Sequence, residues 1–73
     1  MKQYVVIFEP SPSGSWGAYV PDLPGCTSAG RTREEAAVNI REAIEGHIDV
    51  MREYGDIVPE PASQAGLVAI DAA

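Results

Sequence analysis

The chain has 73 residues, 45% of them hydrophobic and 22% charged; this allows one domain at most, near the lower size limit for independent folding, and excludes a wholly disordered chain. Eleven acidic residues against five basic ones give a net charge of −6. The basic residues Lys2, Arg31, Arg33, Arg41 and Arg52 are scattered, so the counterion-releasing patch of a nucleic-acid binder is missing, and the acidic balance suits a basic partner.

Cys26 is the one cysteine, which precludes an intrachain disulfide and fits a reducing compartment. The apolar run at residues 4–8 is too short for a signal-peptide core or a membrane span. A cytoplasmic protein without membrane contact is expected. A chain this small buries only about 60% of its unfolded surface, so homo-oligomerisation is expected as well.

Tyr4-Val5-Val6-Ile7-Phe8 is β-branched and aromatic and ends in the turn cluster Glu9-Pro10-Ser11-Pro12-Ser13-Gly14. This pattern marks a first strand. Trp16-Gly17-Ala18-Tyr19-Val20 forms a second, with Trp16, Ala18 and Val20 on one face and Gly17 and Tyr19 on the other. The short connection makes the pair an antiparallel hairpin.

Pro21-Asp22-Leu23-Pro24-Gly25 is an irregular loop, because Pro21 and Pro24 fix φ and Gly25 permits positive φ. A short third strand follows from Cys26 and ends at Gly30, completing a three-strand meander over residues 1–30.

A helix is expected over 32–55. Thr32 and Glu35 have capping-box spacing, and Gly55 supplies a left-handed stop. On a wheel of about 100° per residue, Ala36, Ala37, Ile40, Ala43, Ile44, His47, Ile48, Val50, Met51 and Tyr54 share one stripe. Its length, roughly 33 Å, is enough to cover a whole small sheet. Residues 56–65 read as an extended connector and 66–71, with Leu67-Val68-Ala69-Ile70, as a last strand.

That strand is expected to run parallel to the first. The fold class is therefore α+β: β-β-β-α-β, a four-stranded, mostly antiparallel sheet with the helix on one face. The opposite face, with Val5, Ile7 and Tyr19, has no cover and invites a partner.

Few residues offer chemistry. His47, the only histidine, has the residue type of a base or metal ligand, but it stands in the apolar stripe without a second histidine, as a packed helix residue does. Cys26 lacks an evident orienting group for a nucleophile. Glu9, Asp22, Glu34, Glu35 and Glu42 do not converge as a metal-dependent nuclease requires; most read as a solvated helix face or caps. No catalytic residue, metal site or cofactor is expected. The loop at 21–26 has two readings, a corner between strands or a contact site. Asp22 and Leu23 at its tip, with Trp16 and Tyr19 nearby, have the amphipathic mix of interfaces.

The run Pro21-Asp22-Leu23-Pro24-Gly25-Cys26, followed by Ser28-Ala29-Gly30-x-Thr32-x-Glu34-Glu35-Ala36, Ala43-Ile44 and the exit Tyr54-Gly55-x-Ile57-x-Pro59-x-Pro61, resembles the HicB family of antitoxins. The resemblance implies a domain similar to a truncated RNase H fold, spanning 1–73. It implies binding to HicA, a small basic toxin that cleaves mRNA, by covering the toxin's RNA-binding surface, and no RNase activity. Longer members carry a C-terminal helix-turn-helix or ribbon-helix-helix domain; a chain ending at Ala73 is expected to do without operator binding. Arg31 departs from the acidic or polar residue common at that position.

Three functions compete at this point. One is a toxin-neutralising binding domain using Trp16, Tyr19, Asp22 and Leu23. The second is a structural or regulatory oligomer without a toxin. The third is a divergent nuclease suggested by fold alone.

Overall fold

The computed structural model describes residues 2–72. Strands β1 (Ile7–Pro10), β2 (Trp16–Tyr19) and β3 (Thr27–Gly30) precede one helix, α1 (Arg33–Glu53). The strands form an antiparallel sheet in the order β1-β2-β3. In register, Ile7 faces Tyr19 and Tyr19 faces Thr27; Phe8 faces Ala18 and Ala18 faces Ser28. Alternation then sends Phe8, Trp16, Ala18 and Ser28 toward the helix and Ile7, Glu9, Gly17 and Tyr19 away from it.

The first strand lies later than its apolar run suggests. Continuing the register of Ile7 with Tyr19 would set Val5 against Pro21, which has no N–H for a ladder. Residues 4–6 therefore lie outside the strand. Pro10 closes β1 on the free edge of the sheet, where a missing donor is tolerated. The turn back is held by Ser11 N–H donating to the Ser15 carbonyl at 2.8 Å, with Gly14 at φ +91°.

Helix α1 starts where its cap residues place it. The Thr32 hydroxyl accepts from the Glu35 N–H at 3.0 Å. The Glu35 carboxylate accepts from the Arg31 N–H at 3.2 Å, one residue before the Thr32 amide that a capping box would use. At the other end Gly55 adopts φ +72°, with its N–H on the Arg52 carbonyl and the Asp56 N–H on the Met51 carbonyl. This is the Schellman pattern.

The core consists of Ala18, Val20, Leu23, Cys26, Ala36 and Ile40. Ala36 and Ile40 come from the expected stripe. Val50 and Tyr54, also in it, are exposed, because strands of four residues are too short to cover a helix of 21. The helix packs most closely on β3 and least on β1. The cause is Gly30: a Cβ there would lie 2.5 Å from the Ala36 backbone nitrogen, so only glycine admits the helix at this distance.

The fourth strand is a correction. Residues 56–72 form no strand, and Leu67, Val68 and Ile70 are 103%, 87% and 78% exposed. The connector is instead tied down early. The Tyr4 hydroxyl donates to the Pro59 carbonyl, and Lys2 pairs with Glu60 at 3.0 Å. β1 therefore lies at a sheet edge rather than at the centre. The Cα radius of gyration, 14.2 Å, exceeds the roughly 11 Å expected of a compact chain of this length because the last residues and the helix end extend outward.

Leu23 is the largest side chain with no exposure. Replacing it with Ala should destabilise the domain by about 3 kcal/mol in urea denaturation, whereas a surface residue would cost under about 0.5 kcal/mol.

Candidate partner-binding surface

The loop at 21–26 is a tight double turn. Leu23 N–H donates to the Val20 carbonyl at 3.1 Å and Cys26 N–H to the Leu23 carbonyl at 3.0 Å, with Gly25 at φ +84°. These bonds send successive side chains in different directions. Leu23, expected at the exposed tip, points inward and is 0% exposed among Val20, Cys26, Ala36 and Ile40. It is a core residue and offers no contact to a partner. The two prolines that suggested an outward tip instead fold it back, and burial stabilises a leucine by about 2 kcal/mol.

Asp22 does point outward, but its carboxylate already has partners. Oδ2 accepts from the N–H groups of Ala62 and Ser63, both at 2.9 Å, and Oδ1 accepts from the Ser63 hydroxyl at 2.8 Å. The Ser63 N–H, then the Ala62 N–H and the Ser63 hydroxyl, hold the Asp22 pKa below the usual carboxylate range. Asp22 is the clamp that fastens the connector to the loop. Its partners lie 40 and 41 residues away, so no local pattern announces the role.

Trp16 lies on the helix side of the sheet, packed against the core. Tyr19 lies on the other face and is 39% exposed. Of the four residues expected to meet a partner, Tyr19 alone presents free side-chain surface there, and the four do not form one patch. Register places Ile7 and Thr27 beside Tyr19 in one row, with Glu9, Gly17 and Ala29 in the next. The resulting face is partly apolar and lies on the side away from the helix.

The motif residues have structural tasks. Pro21, Pro24 and Gly25 shape the turn, Gly30 admits the helix, Thr32 and Glu35 cap it and Gly55 ends it. Cys26 is buried, which pushes its thiol pKa up. His47 is half-buried in the helix. Among the described residues no three His, Cys, Asp or Glu side chains are gathered as metal ligands, and no helix is long and apolar enough to cross a membrane. Sequence reasoning missed Asn39, whose amide donates to the Ala29 carbonyl at 2.8 Å and ties the helix to β3.

Two outcomes follow from these groups. A depressed carboxylate stabilises above its ordinary pKa and loses that contribution as pH falls through the folded value. Protection of the Ala62 and Ser63 amides, relative to the same amides in an unstructured chain, should therefore persist below the usual carboxylate range and be lost only at lower pH, while Asp22→Ala should remove it at neutral pH. The Cys26 thiol should react slowly with a disulfide reagent at pH 8, at a rate set by opening of the fold, and rapidly in urea.

Comparison with known proteins accounts for this arrangement. The family described as "HicB_like antitoxin of bacterial toxin-antitoxin system" matches residues 4–71. A UPF0150 protein of Thermoplasma acidophilum is 37% identical over 57 residues, covering 78% of this chain and 83% of that protein. A UPF0150 protein of Synechocystis is 42% identical over 57 residues, covering 78% and 72%. The crystal structure of the N-terminal domain of the Burkholderia pseudomallei antitoxin HicB superimposes with a TM-score of 0.72 at 36% identity, covering 81% of this chain and 69% of that one. The three-stranded sheet with one long helix is shared with that domain, and the chain belongs to the HicB-like antitoxin family.

Proposed function

We propose that the chain is a protein-binding antitoxin domain that neutralises a small basic RNA-cleaving toxin of the HicA type by covering its RNA-binding surface. The observation that carries this reading is the combination of family membership with a net charge of −6. The charge has a direction. Glu34, Glu42, Glu45, Asp49 and Glu53 are exposed on the helix, and of the nearby cations Arg41 is paired with Glu45 at 3.5 Å. Such a field, acting over distance, accelerates encounter with a basic protein.

The contact itself is assigned to the outer sheet face around Tyr19, with Ile7 and Thr27 beside it. A half-exposed tyrosine on a rigid strand supplies contact area at little entropy cost. Occlusion needs no catalytic group, metal or cofactor from this chain. Work against an mRNA-cleaving toxin sets the action in the cytoplasm.

The test is titration with a small basic toxin of this type. Binding should weaken steeply between low and high salt, and Tyr19→Ala should weaken it about tenfold or more while leaving the helical circular dichroism unchanged. Absence of binding at low salt overturns the reading. Full affinity in Tyr19→Ala moves the contact off the sheet face.

A further inference from the structure

The outer face of the sheet has a gap near its middle. Register sets Glu9, Gly17 and Ala29 side by side, next to the row of Ile7, Tyr19 and Thr27. Gly17 is central in its row and has no side chain. A Cβ there would meet only the Glu9 carbonyl, at 4.0 Å, and Gly17 is not among the glycines with positive φ. Neither backbone geometry nor packing within the chain requires glycine here, in contrast to Gly30. A glycine inside a strand weakens it and marks a place where a ligand or another chain comes close to the backbone.

The borders of the gap have a definite chemistry. Glu9, directly opposite Gly17, is exposed and is the one acidic residue on a strand. It enters no ion pair among the described residues, whereas Glu35, Glu45 and Glu60 each meet a cation. Tyr19 follows Gly17 by two residues on the same face, so its side chain borders the gap, and it is 39% exposed. Arg31, just past β3, is turned to the helix, its Nε 3.8 Å from the Glu35 carboxylate. A charge on an edge strand also discourages stray pairing, but that task makes no use of an open Gly17.

We infer that the gap receives an arginine side chain of the basic partner, its guanidinium lying over Gly17, hydrogen-bonded to the Glu9 carboxylate and stacked on the Tyr19 ring. The inference rests on the toxin-binding reading and names what the partner places on that face. Arginine suits the gap better than lysine. A planar guanidinium offers two N–H groups to one carboxylate and still presents its flat face to an aromatic ring, and it is more weakly hydrated than an ammonium. With no side chain at Gly17 it can settle at the level of the backbone, where the docked partner shields the ion pair from water.

The test is calorimetric titration with the small basic toxin at low salt. Gly17→Val fills the gap with a strand former, so its urea midpoint should equal or exceed that of the unaltered chain while its affinity falls about tenfold or more. Glu9→Gln should weaken binding about tenfold and flatten its salt dependence. Tyr19→Phe, which keeps the ring, should bind within about twofold of the unaltered chain. In the toxin, one arginine-to-lysine substitution should weaken binding to the unaltered chain about tenfold and binding to Glu9→Gln hardly at all. Full affinity in a folded Gly17→Val, or toxin arginines whose effects all add to that of Glu9→Gln, overturns the inference and leaves the toxin reading standing. Absence of binding by the unaltered chain overturns both.

Discussion

The distance between the helix and β3 governs this molecule. Gly30 has no side chain, and the Ala36 backbone occupies the space that one would fill. Asn39 adds a hydrogen bond to the Ala29 carbonyl one turn further along. Helix and sheet therefore meet most closely at β3 and diverge toward β1. That tilt decides where the core can close. Ala18, Val20, Leu23, Cys26, Ala36 and Ile40 seal under the near side, while Tyr4, Val6, Phe8, Ile44 and Ile48 are only partly covered on the far side.

A core of six small or medium side chains is a thin margin for 73 residues. Three of them, Val20, Leu23 and Ile40, each contribute roughly 2 kcal/mol through burial, and conformational entropy opposes the total. Turn chemistry matters in proportion. The double turn at 21–26 buries Leu23 and Cys26 while leaving Asp22 outside to clamp residues 62–63. One loop thus serves the core and the route of the connector together. Antitoxin binding would need neither of these buried residues, which leaves the sheet face and the acidic helix face available to a partner.

Three helix-bound features were legible from residues alone: the start at Thr32, the stop at Gly55 and the buried pair Ala36 and Ile40. Each rests on neighbours three or four positions apart. The hairpin faces were legible for the same reason, since alternation is a local rule. Arg33 stacking over the Phe8 ring at 4.4 Å and the Asn39 bond to β3 were not, because both pair residues from different elements.

By itself the sequence determined the α+β composition, the helix with its caps, the meander, the acidic balance and the motif run that marks the HicB-like family. Only the tertiary structure decided that Leu23 turns inward, that Asp22 is occupied, and that residues 67–70 lie free of their own sheet. The physical reason is separation. Asp22 meets Ala62 and Ser63 across 40 and 41 residues, and Tyr4 meets Pro59 across 55. Such contacts arise only once the helix has fixed where the connector begins, and no periodicity along the chain encodes them.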